Sequence, residues 1–162
     1  MQITKKGVPT EVAGVQPTLN EMAPSFNLPN INGETVSLDS LKGQTVLISI
    51  FPDINTRVCD LQTRHFFKVA SDYPSVKIVN ISNNTIDQLK DWCAVAGIEA
   101  EMLSDVELEF AHAYGIYLPE FELLARSIFV INKDGKLVYS EIVPEMAQEP
   151  NYETALEAAQ NA

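Results

Sequence analysis

Apolar positions follow two different periods along this chain, and the alternation between them predicts its elements. Thr45–Phe51 (TVLISIF), Val76–Ser82 (VKIVNIS) and Ser127–Asn132 (SIFVIN) are short, nearly continuous apolar runs. Such runs read as strands covered on both faces. Cys59 to about Asp72 reads as a helix stopped before Pro74, with Leu61, Phe66, Phe67 and Val69 at helical spacing. Asn84 or Thr85 caps a second helix that runs to about Val95, with Gly97 just past its end. Glu107–Tyr114 gives one or two further turns ending at Gly115, after a short strand over Glu101–Leu103. Lys133-Asp134-Gly135 turns the 127–132 strand into a partner over Lys136–Val143, and Asn151 caps a closing helix to Gln160.

Upstream of this α/β part, residues 2–13 read as a hairpin turned near Lys6-Gly7. The Pro- and Asn-containing stretch from Gln16 to Asn32 disfavours helix. A short strand over Glu34–Leu38 follows, then a brief helix over Ser40–Leu41 capped by Asp39 and closed by Gly43. Strands alternating with helices, then a hairpin and a final helix, describe an α/β chain with a mixed central sheet flanked by helices. No repeat or linker interrupts residues 1–162, so a single domain is expected.

At 162 residues and 46% hydrophobic, the chain is large enough for a substantial core. A net charge of −11 argues against nucleic acid and anionic membrane surfaces as partners. No apolar run approaches the roughly 18 residues of a membrane span. The N-terminal MQITKKGVPT lacks an apolar h-region, so a cytoplasmic location is expected. In a reducing compartment two cysteines, Cys59 and Cys93, point toward redox or catalytic use rather than a purely structural disulfide.

The segment FPDINTRVCDLQTRHFF (51–67) concentrates the candidate chemistry. Pro52 ends a strand and forces the chain out of the sheet. Thr56 or Asn55 suits an N-cap, and the three-residue spacing from Thr56 to Cys59 brings the hydroxyl back toward the thiol. A cysteine in the first helical turn faces unpaired N–H groups and the positive end of the helix dipole, both of which favour the reactive thiolate. A nearby cation would favour it further, and Arg57, Arg64 and Arg126 are the candidates. Arg126 precedes a buried strand, where a charged side chain needs a partner. Cys93 reads either as a small buried hydrophobe or as a second thiol that attacks an oxidised Cys59. Asp60 is expected to point outward. His65 and His112 read as ordinary helix residues, since neither has companions at metal-ligand spacing.

Pro52-x-x-x-Thr56-x-x-Cys59 resembles the peroxiredoxin active-site motif. Together with Cys93 in WCAVAG, Arg126 in LLARSIFVI and the N-terminal hairpin, it is similar to the atypical two-cysteine branch of bacterial thiol peroxidases along nearly the whole chain. The resemblance implies a thioredoxin-like fold that reduces hydrogen peroxide and organic hydroperoxides without a bound cofactor. It implies that Cys59 is the peroxidatic cysteine and Cys93 the resolving one in the same chain. Thr56 and Arg126 would hold the peroxide oxygens, and Pro52 would shield the thiolate. A homodimer recycled by thioredoxin is implied as well. The sequence departs from the family pattern at Asp53, Asn55 and Arg57. A second departure is Ile81-Ser82-Asn83-Asn84-Thr85-Ile86-Asp87, which stands where Ser-Ala-Asp-Leu-Pro-Phe-Ala is usual. A peroxide-sensing or disulfide-exchange module with little turnover is the alternative reading of the same residues.

Overall fold

The computed structural model describes residues 1–162. Its centre is a five-stranded sheet of order β11-β10-β5-β6-β7. These strands are β5 (Thr45–Ile50), β6 (Val76–Ser82), β7 (Met102–Ser104), β10 (Ser127–Ile131) and β11 (Leu137–Ile142). β5, β6 and β7 run parallel, and β10 lies antiparallel to both β5 and β11. All six residues of β5 are buried, as its unbroken apolar run requires of a strand covered on both faces.

Side-chain alternation sorts the two layers. Val46, Ile48 and Ile50 point to one face with Val79, Ile81, Phe129 and Ile131, where α3 (Glu109–Ala113) contributes Phe110 and Ala111. Leu47, Ile128 and Val130 point to the other, under Phe66 of α1 (Arg57–Val69) and Ala155, Leu156 and Ala159 of α4 (Tyr152–Gln160). On that same face, β7 Met102 packs with Leu89 and Cys93 of α2 (Ile86–Ala96). Burying each Leu, Ile or Phe side chain is worth roughly 1.5–3 kcal/mol, so this two-sided core fixes the register of the sheet.

The helix ends follow the side-chain chemistry. Thr85 forms a capping box with Gln88 at the start of α2, and Gly97 closes it in the left-handed conformation. Asn151 accepts from the Thr154 N–H at the start of α4. α1 starts at Arg57, two residues earlier than expected, because Thr56 takes the N-cap position. The α1 face that packs inward also differs from the expected stripe. Cys59, Gln62, Thr63 and Phe66 are buried, whereas Phe67 is 44% exposed.

The N-terminal hairpin, β1 (Gln2–Lys5) and β2 (Val8–Glu11), turns at Lys6-Gly7 with both residues at positive φ, 50° and 83°. Two further pairings were not expected from the pattern. β3 (Asn27–Pro29) pairs with β4 (Thr35–Ser37), and β8 (Tyr117–Leu118) with β9 (Leu123–Leu124). β4 falls within the strand expected over Glu34–Leu38, whereas β3, β8 and β9, of two or three residues, are too short to show a period. Asp39–Leu41 is a single 3-10 turn, and the Asp39 carboxylate pairs with Lys42 rather than capping the turn. No helix is long and apolar enough to cross a membrane.

Candidate active site

Sheet pairing brings the candidate residues to one end of the sheet. Ile50, the last residue of β5, pairs with Ser127, the first of β10, and with Ile81 near the end of β6. Arg126 therefore enters beside the point where the chain leaves β5 through Phe51 and Pro52. The 52–56 loop then delivers Cys59 in the first turn of α1.

Arg126 is 3% exposed and Cys59 is fully buried. The guanidinium Nη1 donates to Cys59 Sγ at 3.3 Å and to Gln62 Oε1 at 2.9 Å. Nε and Nη2 both donate to the Met146 carbonyl, at 3.2 and 2.8 Å. None of the chain's four ion pairs includes Arg126. Among the two neutral oxygens and one sulfur that accept hydrogen bonds from this buried cation, only the sulfur can carry negative charge. Of the three arginines considered, Arg126 alone fills this place. Arg57 is exposed, and Arg64 pairs with Asp60 at 2.8 Å.

Two supports of this arginine lay outside the sequence reading. Gln62, fully buried, donates to Ser49 Oγ at 2.7 Å and the Ile50 carbonyl at 3.2 Å, and offers its oxygen to Arg126. Its position three residues after Cys59 places it on the same helix face, and that spacing is the signal that could have found it. The second is the loop after β11. Its Met146 N–H donates to Thr4 O, while the Thr4 N–H donates to Pro144 O. The Glu145 carboxylate accepts from Ala147 N, Gly7 N and Thr4 Oγ1. These donors, the Ala147 amide foremost, hold Glu145 down to about 2. The N-terminal hairpin thus braces the carbonyl that aims Arg126.

The remaining candidates sit as follows. Pro52 is buried behind the strand exit. Thr56 is exposed, and its hydroxyl donates to the Asp53 carbonyl at 2.7 Å, making no side-chain cap. The hydroxyl is therefore turned to the loop backbone rather than to the sulfur. Cys93 is 7% exposed and shares one apolar cluster with Cys59, Phe51, Ile54, Leu89 and Met102. Both thiols are free. Burial pushes the Cys93 thiol up, against a smaller opposing hydrogen bond from the Ala100 backbone. A groove of about 700 Å³, lined by Ile31, Lys77, Cys93, Ile98 and Glu101 among others, opens beside Cys93.

Two of the departures from the family pattern meet each other. Asn84 Nδ2 donates to Asp53 Oδ1 at 3.0 Å, and Asn84 Oδ1 accepts from Ile54 N and Ser82 Oγ. Asn84 thereby ties the 52–56 loop to the start of α2. Asp60, expected to point outward, is half-buried instead, its carboxylate accepting from Arg64 Nε and Trp92 Nε1, both at 2.8 Å. His65 stacks on Tyr152 at 3.8 Å between centroids, and His112 packs against Tyr117.

Comparison with known proteins agrees with this architecture. Residues 19–140 match the AhpC/TSA family. A thiol peroxidase of Listeria innocua is 42% identical over 163 residues, covering 99% of each chain. One of Bacillus subtilis is 40% identical over 160 residues, covering 98% of this chain and 96% of its own. Among solved structures, a peroxiredoxin-like protein from Aquifex aeolicus superposes with a TM-score of 0.92 at 24% identity, covering 99% of this chain and 96% of its own. With the sheet, the buried Cys59–Arg126 pair and these full-length relatives in view, the chain belongs to the AhpC/TSA family.

Proposed function

We propose that this chain is a thiol peroxidase that reduces hydrogen peroxide and organic hydroperoxides, with Cys59 as the attacking sulfur. The observation that carries the reading is the buried Arg126 guanidinium, which donates to Cys59 Sγ and has no carboxylate partner. In the first step the Cys59 thiolate attacks one peroxide oxygen. The S–O bond forms as the O–O bond breaks, and the departing oxygen takes a proton and leaves as water or an alcohol. Arg126 donates to the oxygens as charge develops on them. Thr56 joins it when its hydroxyl turns from the Asp53 carbonyl, and Pro52 closes the site against water.

In the second step the Cys93 sulfur displaces hydroxide from the Cys59 sulfenic acid, forming an intrachain disulfide and releasing water. A dithiol reductant of the thioredoxin type then supplies two electrons and two protons to restore both thiols. The open groove beside Cys93 gives that reductant an approach that fully buried Cys59 lacks. No cofactor or metal takes part in these steps. A cytoplasmic homodimer, with neither nucleic acid nor membrane as a partner, completes the proposal.

Stopped-flow peroxide consumption with a dithiol reductant tests the reading. Cys59→Ser is expected to abolish turnover, and Cys93→Ser to consume about one equivalent of peroxide and stop. Undiminished consumption by Cys59→Ser would refute it.

A further inference from the structure

Closing a disulfide needs sulfurs about 2.05 Å apart and Cα atoms within about 7 Å. Cys59 and Cys93 are free thiols on two different helices and no hydrogen bond joins their sulfurs, so the bond forms only once the two sulfurs are brought to that spacing. One polar contact holds these helices together. Trp92 Nε1 donates to Asp60 Oδ1 at 2.8 Å, the only hydrogen bond between them. The other oxygen of Asp60 accepts from Arg64 Nε at 2.8 Å, and the Arg64 guanidinium lies over the Trp92 ring, 5.4 Å from its centroid.

The placement of this contact is informative. Asp60 follows Cys59 directly, and Trp92 directly precedes Cys93. Neighbouring residues on a helix point about 100° apart. With both cysteines buried, Asp60 and Trp92 lie to one side of them, and the hydrogen bond between these two residues joins the helices. The Trp92 indole is half-buried, and its Nε1 edge is fastened to Asp60.

We propose that Asp60 and Trp92 are positioning residues for the resolving step, a clamp that holds the two cysteine-bearing helices at the spacing of the reduced protein. The clamp must release before Cys93 can reach the Cys59 sulfenic acid. It thereby sets how long that sulfenic acid survives, and how often a second peroxide oxidises it to sulfinic acid with release of water or alcohol. This inference rests on the assignment of Cys93 as the resolving thiol. Loss of one hydrogen bond of ordinary net strength corresponds to about fivefold in rate.

Trp92 is the only tryptophan and adjoins Cys93, so its fluorescence follows the resolving step directly. In stopped-flow mixing with peroxide, wild type and Asp60→Ala should each show a peroxide-dependent phase and then a peroxide-independent closure phase. In Asp60→Ala the closure phase is expected to be about fivefold faster with the first phase within twofold, and sulfinic acid at Cys59 to fall accordingly. Asp60→Asn, which keeps a carbonyl acceptor, should lie between. Trp92→Phe, followed by mass spectrometry of quenched samples, should close as fast as Asp60→Ala. Closure that is unchanged or slower in Asp60→Ala and Trp92→Phe overturns the clamp. A missing Cys59–Cys93 linked peptide in oxidised wild type would instead overturn the resolving role beneath it.

Discussion

Replacing Gln62 with Leu isolates the support of Arg126 from the sulfur chemistry. Leucine is close to glutamine in volume, so the change leaves little cavity. It removes three hydrogen bonds, to Ser49 Oγ at 2.7 Å, to the Ile50 carbonyl at 3.2 Å and from Arg126 Nη1 at 2.9 Å. Gln62 and Ser49 are fully buried and Arg126 nearly so, and water cannot replace the lost partners at their old positions. At roughly 1–3 kcal/mol for each buried polar group left unmet, and with some rotation of the Ser49 hydroxyl, the stability loss should be about 2–4 kcal/mol. Arg126 keeps the Met146 carbonyl and Cys59 as its partners but loses the contact that fixes Nη1. By analogy with losing one aimed donor, the second-order rate with peroxide should fall on the order of 10- to 100-fold. Urea unfolding and stopped-flow kinetics at a temperature where the variant remains folded separate the two effects. Ser49→Ala is the control, because it removes the far end of Gln62's network without touching Arg126, and its rate should stay within about threefold of wild type. An unchanged rate in folded Gln62→Leu would refute the claim that Gln62 aims the guanidinium.

Two further predictions concern pH. Burial pushes the Asp105 carboxyl up to about 6 from 3.8, against the opposing N–H groups of Phe110 and Ala111. The folded state therefore binds this proton more tightly, so its contribution is full below about pH 4 and is lost as pH rises through 6. The shift corresponds to about 3 kcal/mol. Urea midpoints from pH 4 to 7 should show wild type losing this stability relative to Asp105→Asn, and parallel curves would contradict it. Glu145 titrates in the opposite direction. Its ionised form is held by backbone donors, so its contribution is present above about pH 4.5 and is lost as pH falls toward 2. The melting-temperature gap between wild type and Glu145→Ala should be steady from pH 5 to 8 and narrow below 4.5. The variant should also be cut faster by trypsin at Lys5 or Lys6, once the hairpin loses its anchor.

The sheet was legible because its inner strands are covered on both faces and so are written as unbroken apolar runs. α2 and α4 were legible because Thr85, Gly97 and Asn151 carry their end signals in single residues. The buried face of α1 was not. Reading Leu61, Phe66, Phe67 and Val69 as the inward stripe assumes that what is buried is apolar, and here Gln62 and Thr63 are buried to serve Arg126 and the helix backbone. Taking Cys59 as inward and stepping three, four and seven residues gives Gln62, Thr63 and Phe66, the face observed. Arg126 could be proposed from the need of a buried charge for a partner, but its pairing with Cys59 spans 67 positions and depends on the Ile50–Ser127 register. The hairpin's role as a brace for Met146 depends on contacts some 140 residues apart, beyond the reach of any local pattern.

The proposed mechanism makes Cys59 the sulfur that attacks peroxide. Its most direct test is to expose Cys93→Ser protein to one equivalent of hydrogen peroxide with dimedone present, then to locate the adduct by peptide mass spectrometry. A sulfenic acid adduct on Cys59 is expected, at close to one per chain. Peroxide consumed with no adduct on Cys59 would contradict it.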